Sequence, residues 1–149
     1  MADPRILPGF EGLGAEYLTA VYDNSAITYD ATAAGGSAEV GLAVSFTATG
    51  KVISTVAADE GVLGQLVKVE SDGRCVVQYK GYMKLPTGTT PGLTWMGSII
   101  GLLLVAAEGY VGAVDAAGEV YVQRGNIIDT TLTTVEIDGT DVDAVEVIL

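Results

Sequence analysis

Hydrophobic residues in this chain recur at every second position over short stretches broken by turn residues, and a period of two belongs to β-strands. In EVGLAVSF, residues 39–46, Val40, Leu42, Val44 and Phe46 share one face against Glu39, Gly41, Ala43 and Ser45. Ala48-Thr49-Gly50 then turns the chain into KVISTVA, which predicts a hairpin. The strongest pattern is QLVKVESDGRCVVQYKGYMKLP, residues 65–86. Leu66 to Glu70 reads as one strand, Ser71-Asp72-Gly73 as a turn, and Arg74 to Leu85 as a long second strand ended by Pro86. VGAVDAAGEVYVQRG, residues 111–125, echoes this unit 45 residues later, aligning Val69 with Val114, Gly73 with Gly118, Cys75 with Val120 and Gln78 with Gln123. The C-terminal TLTTVEIDGTDVDAVEVIL predicts a last hairpin: Val135 and Ile137 precede the Asp138-Gly139 turn, and Val142 or Val145, Val147 and Leu149 follow it.

Residues 1–36 behave differently. Pro4, Pro8 and scattered glycines separate single aromatics (Phe10, Tyr17, Tyr22, Tyr29), and no period of 2 or 3.6 runs through them. The reading is an extended N-terminal arm over 1–36, with one helical turn around Ala15 to Val21, followed by a single β domain over 37–149. Short strands at turn spacings of about 8 to 12 residues indicate an all-β fold, a small barrel or sandwich of short antiparallel hairpins.

Composition narrows the chemistry. Without histidine among 149 residues, neither a Ser-His or Cys-His nucleophile nor a histidine metal site can be built. Nineteen acidic against seven basic side chains give a net charge of -12, which repels nucleic acid and anionic membranes alike. The charge is uneven. Residues 51–100 carry five of the seven cations, and four of these, Lys68, Arg74, Lys80 and Lys84, lie on the strongest hairpin. They either engage an acidic partner or solubilise the wet face of a sheet, the second being the simpler reading.

Twenty-three uncharged residues separate Lys84 from Glu108, but Pro86, Gly88, Pro91 and Gly92 break the run, and the apolar IIGLLLVAA is too short for a span of about 20 residues. It reads as a core strand. The start of the sequence lacks the basic-then-apolar pattern of a signal peptide. The single cysteine, Cys75, excludes an internal disulfide and reads as a core or interface thiol. Asp138, Asp141 and Asp143 lack the Asp-x-Asp-x-Asp-Gly order and closing Glu of an EF-hand loop, so they read as a solvated turn. GFEGLG lacks the flanking strand and helix of a phosphate loop. A carboxylate pair for glycoside hydrolysis would need an aromatic groove, and the chain has one Trp (Trp95) and two Phe. No catalytic set, cofactor site or metal site emerges.

GLAVSF, the TGKVI hairpin, Gly61-Val62-Leu63-Gly64 running into VKVESDGRCVVQYKGYMKLP, and then VDAAGEVYVQRG resemble, in order and pattern, the small all-β capsid decoration (cement) proteins of tailed bacteriophages. The resemblance spans roughly Gly41 to Ile128. It implies a non-enzymatic virion protein made in the host cytoplasm and added to the outer surface of the expanded head. The partner would be the major capsid protein and the usual form a homotrimer, with no nucleic acid, membrane or small-molecule substrate. An arm of this composition orders on binding, so Ile6, Leu7, Phe10, Leu13, Tyr17 and Leu18 are the expected shell anchors. Tyr79, Tyr82 and Met83 are the expected subunit contacts. A head fibre, a tail-associated β module and a small carbohydrate-binding module are the alternatives.

Overall fold

The described residues form ten strands and one 3-10 turn (Ala34–Gly36), with no α-helix among them. The structure, a computed structural model, describes residues 14–47, 52–55, 61–87, 100–101, 109–113 and 126–149. Five strands, β1 (Glu16–Val21), β2 (Ala43–Phe46), β3 (Ile53–Thr55), β4 (Gly64–Val69) and β5 (Arg74–Lys80), form one sheet in the order β1-β5-β4-β2-β3. Three more, β6 (Tyr82–Pro86), β9 (Asn126–Ile137) and β10 (Thr140–Ile148), form a second sheet ordered β6-β10-β9. β7 (Ile100–Gly101) and β8 (Gly112–Ala113) pair with each other. Each ladder is antiparallel. The fold is thus an all-β sandwich. The larger sheet curls until Tyr22, just past β1, bridges Ile53 at the opposite edge, and the Asp23 N–H donates to the Ile53 carbonyl at 2.8 Å. That single bridge does not close a barrel.

Turn chemistry fixes the expected hairpins. The Glu70 N–H donates to the Arg74 carbonyl at 2.8 Å, the Asp72 carboxylate accepts the Arg74 N–H, and Gly73 supplies the positive φ of +88° that the turn requires. At the C-terminal hairpin Asp138 and Gly139 both take positive φ, 49° and 74°, the signature of a type I′ turn, and Thr140 pairs with Ile137. The β2–β3 hairpin is present too.

Four local expectations change. Within the segment Ala15 to Val21, Glu16–Val21 is strand, not a helical turn, because Leu18 and Ala20 face the interior while Tyr17, Thr19 and Val21 face out, a period of two. The residues after β1 are no free arm either, since Tyr22 and Ile27 are buried in the core. The strand Arg74 to Leu85 breaks at Gly81, whose φ of +92° turns the chain from one sheet into the other. A Cβ there would lie 2.8 Å from the backbone of Gly14 and Ala15. In EVGLAVSF the alternation fails: Leu42, Ala43, Val44 and Ser45 are all buried while Phe46 is exposed. β2 is central and has a core on both sides, Val44 facing one and Ala43 the other.

The first core lies inside the curled sheet: Tyr22, Ile27, Val44, Ile53, Leu66, Val69, Cys75 and Val77. A register shift between Leu66 and Lys68 lets Leu66 and Val69, three apart, both point inward. Asp23 and Asp30 nucleate turns by accepting from Ser25 and Thr32, and the loop they shape brings Ile27 into this core. The second core lies in the seam between the sheets, where Met83, Leu85, Val145 and Val147 meet Ala43, Val62 and Val111.

A pair of glutamines completes that seam. Gln65 and Gln78 are cross-strand neighbours on β4 and β5. The Gln65 amide donates to the Lys84 carbonyl at 2.6 Å and the Gly41 carbonyl at 2.9 Å; the Gln78 amide donates to the Tyr82 carbonyl at 2.8 Å. Together with the Val111 N–H, which donates to the Pro86 carbonyl at 2.9 Å, they satisfy the carbonyls of Tyr82, Lys84 and Pro86 on the edge of β6 turned away from β10.

Candidate interaction surface

β1 carries the most exposed large apolar side chains of the described residues. Tyr17 is 55% and Val21 50% exposed, with Thr19 between them and Val76 of β5 alongside Thr19 in the ladder. The strand is held by its first residue. The Glu16 carboxylate accepts from Tyr79 Oη at 2.7 Å and from Lys80 Nζ at 2.8 Å, across the edge of the sheet. These bonds, that from Lys80 foremost and then that from Tyr79, hold the Glu16 carboxyl below its ordinary pKa.

The expected shell anchors divide. Ile6, Leu7, Phe10 and Leu13 lie outside the described residues. Tyr17 and Leu18 belong to β1, and while Tyr17 is exposed, Leu18 is half-buried and packs on the interior core beside Val77. The expected subunit contacts divide likewise. Met83 is 2% and Tyr82 7% exposed within the single chain. Met83 fills the inter-sheet core, and the Tyr82 hydroxyl donates to the Glu146 carboxylate. Both are taken into the interior of the single chain, because the turn at Gly81 carries β6 into the second sheet. Tyr79, on β5, is partly exposed and bonded to Glu16.

The four cations do not form one basic patch. Lys68, Arg74 and Lys80 pair with Glu70, Asp72 and Glu16 of the same chain, at 2.5, 3.9 and 2.8 Å. Lys84 lies in the other sheet, opposite Glu146. Such exposed pairs contribute little energy, about 0–1 kcal/mol each, but they neutralise the local charge. Glu16, Glu70 and Asp72 balance Lys68, Arg74 and Lys80, so strands β1, β5 and β4 with their connecting turn are neutral in a chain of net charge -12. The β9–β10 hairpin is the opposite, with Asp129, Glu136, Asp138, Asp141, Asp143 and Glu146 and no base.

Cys75 is fully buried in the interior core, and burial pushes its thiol up to about 11. It is a core thiol, protonated at neutral pH and so a poor nucleophile. Asp138 sits in the tip of the last hairpin, and no group of three or more metal-ligating side chains comes together among the described residues. The echo unit beyond Ala113, most of IIGLLLVAA and Trp95 lie outside the described residues. No helix among those described is long and apolar enough to cross a membrane. Compared with protein-family models, curated proteins and solved structures, the chain matches none.

Sequence reading missed this surface because it placed Tyr17 and Leu18 in an arm. The alternation of Tyr17, Thr19 and Val21 was the available signal, obscured by the glycines and prolines before it.

Proposed function

We propose that this chain is a non-enzymatic structural protein of a tailed-phage virion, which binds the outer surface of the expanded head and stabilises it by clamping major capsid protein subunits. The observation that carries the reading is the hairpin order from Gly41 to Ile128, resembling capsid decoration proteins, on an all-β sandwich whose first strand lies at a sheet edge. Ile6, Leu7, Phe10 and Leu13, which precede β1 in the sequence, serve as the shell anchors. The buried, protonated Cys75 supports a role without nucleophilic chemistry. An acidic exterior suits a surface that faces away from packaged DNA.

The mechanism is mass action. A ligand that binds only the assembled shell stabilises it by about 2.7 kcal/mol per site at a hundredfold excess over its Kd, repeated over every site on the head. The protein is made in the host cytoplasm and acts as a homotrimer on the particle. Cosedimentation with expanded, undecorated heads tests the reading: saturable binding that weakens when Leu7 and Phe10 are replaced by Ser supports it. Binding to no head form overturns it and favours a tail module or a glycan-binding module.

A further inference from the structure

We infer that Asp138 is a self-modifying site, where the fold leaves the Gly139 nitrogen free to attack the Asp138 carboxyl and rearrange the residue to isoaspartate, while the same dipeptide at Asp72-Gly73 is held back. The inference concerns neither shell binding nor assembly, so it stands or fails apart from the function proposed above.

The chemistry needs only the chain and water. The Gly139 nitrogen attacks Cγ of the Asp138 carboxylic acid, a C–N bond forms, and the acid hydroxyl leaves with the amide hydrogen as water, which closes a succinimide ring. Glycine on the nitrogen side allows this approach because it brings no Cβ. Water then adds back across one of the two imide C–N bonds. Breaking the bond to Cγ restores aspartate. Breaking the bond to the main-chain carbonyl carbon leaves the chain running through Cβ and Cγ, with the α-carboxyl free. Nothing is oxidised or reduced.

Both Asp-Gly pairs sit in hairpin turns, and the structure separates them. The Gly73 N–H donates to the Glu70 carbonyl at 3.4 Å, whereas the Gly139 N–H makes no hydrogen bond among the described residues. A donated bond aims the N–H at its acceptor and keeps the nitrogen from the carboxyl. The Asp72 carboxylate accepts the Arg74 N–H at 3.1 Å and lies 3.9 Å from Arg74 Nε, while among the described residues no hydrogen bond or ion pair ties down the Asp138 carboxylate. Asp138 and Gly139 are both exposed, and Gly73 is half-buried. Asp138 also holds a φ of 49°, a region unfavourable to a residue with a Cβ, so rotation out of the turn is less opposed there. The product lengthens by one carbon a turn whose length fixes the pairing of Ile137 with Thr140. Ile137 lies against Gly41, so the loosening reaches the loop before β2.

The test holds the full chain folded at neutral pH and physiological temperature in heavy-oxygen water, beside a sample unfolded in guanidinium, until the unfolded sample has converted at both Asp-Gly pairs. Peptide mapping by liquid chromatography and mass spectrometry then locates isoaspartate by its retention and by the heavy oxygen taken up on ring opening. In the folded chain isoaspartate is expected to be several-fold more abundant at Asp138 than at Asp72; in the unfolded chain the two are expected to be comparable. Equal conversion or an excess at Asp72 in the folded chain overturns the proposal, and so does an Asp138 that stays unconverted there. A preference for Asp138 that persists undiminished in guanidinium overturns it as well, since neighbouring residues and not the fold would then set it. In the purified isoaspartate form, amide exchange at Thr140 is expected to rise while exchange in β4 and β5 is unchanged, and unaltered exchange at Thr140 overturns the link to hairpin register.

Discussion

The interior of the curled sheet and the seam between the sheets are both buried, yet they are held in different ways. Inside the curl, contacts are almost wholly apolar: Val44, Ile53, Leu66, Val69, Cys75 and Val77 come from four strands, and Ile27 and Tyr22 join from the loop beyond β1, with the Tyr22 hydroxyl donating to the Glu70 carbonyl at 3.3 Å. In the seam, apolar packing of Met83 and Leu85 on Val145 and Val147 shares the space with two glutamine amides bonded to main-chain carbonyls of β6. Geometry accounts for the difference. Where strands pair on both sides, the backbone satisfies itself, and the side chains are free to be apolar. Where an edge strand is pressed against the face of another sheet, its carbonyls need donors from outside its own ladder, here two glutamine amides and the Val111 N–H.

The comparison can be broken most strongly in the curl. Leu66→Ala removes a fully buried side chain and is expected to lower unfolding free energy by about 2–5 kcal/mol, measured by urea denaturation with the m-value checked. A loss under about 1 kcal/mol would mean that the curl is not the tightly packed part.

In the seam, Gln65→Leu leaves the Lys84 carbonyl without its amide donor and is expected to cost about 1–3 kcal/mol despite added apolar surface. Gln78→Leu is expected to behave alike at the Tyr82 carbonyl, and the double variant reports whether the two amides act as a unit. A neutral or stabilised Gln65→Leu would make the seam an ordinary hydrophobic contact.

Titration sharpens the contrast. Cys75 is held protonated up to about 11, above the roughly 8.5 of an unfolded thiol. Its contribution is complete below the unfolded value and is lost as pH rises toward the folded one, because the unfolded chain releases the proton first. Stability should therefore decline between those limits, and Cys75→Ala should flatten the decline in denaturant midpoints measured against pH. A thiol reagent should modify native Cys75 far more slowly than the unfolded chain.

The smallest expected effect is at the β1 latch. The folded pKa of Glu16 is depressed, so its contribution is present above the ordinary carboxylate value and is lost as pH falls through the lowered one. Glu16→Gln should make the acid limb of stability shallower, with little change at neutral pH, and should raise amide exchange in β1 before β5. Equal protection in both variants would show that the ladder to β5 alone holds the strand.

How legible this was depended on how local the cause is. Asp72-Gly73 and Asp138-Gly139 set their turns with their own backbone, and Asp72 with its carboxylate as well, so both hairpins can be read from neighbouring residues. Gly81 was different: as a lone glycine within an apolar run it reads as continuing strand, and only its close approach to Gly14 and Ala15 shows why the chain turns there. The candidate surface was half legible. The alternation of Tyr17, Thr19 and Val21 is in the sequence, but which edge it occupies is not. Met83 shows the same limit, since an apolar side chain on a strand faces a partner or its own core according to which sheet receives the strand.

By itself, then, the sequence determined the all-β class, the hairpins with Asp-Gly turns, the absence of histidine chemistry and the net charge, because each rests on residue type or short-range spacing. The tertiary structure alone decided that Glu16 to Val21 is strand and not helix, that β5 and β6 lie in different sheets, and that Gln65 and Gln78 face carbonyls rather than water. It also decided that the cations of β4 and β5 are spent on the chain's own acids. Those outcomes depend on pairings between residues far apart in the sequence, as in Glu16 with Lys80, 64 apart, where long-range packing and hydrogen bonding override the weak local preferences of a Gly-rich and Ala-rich chain.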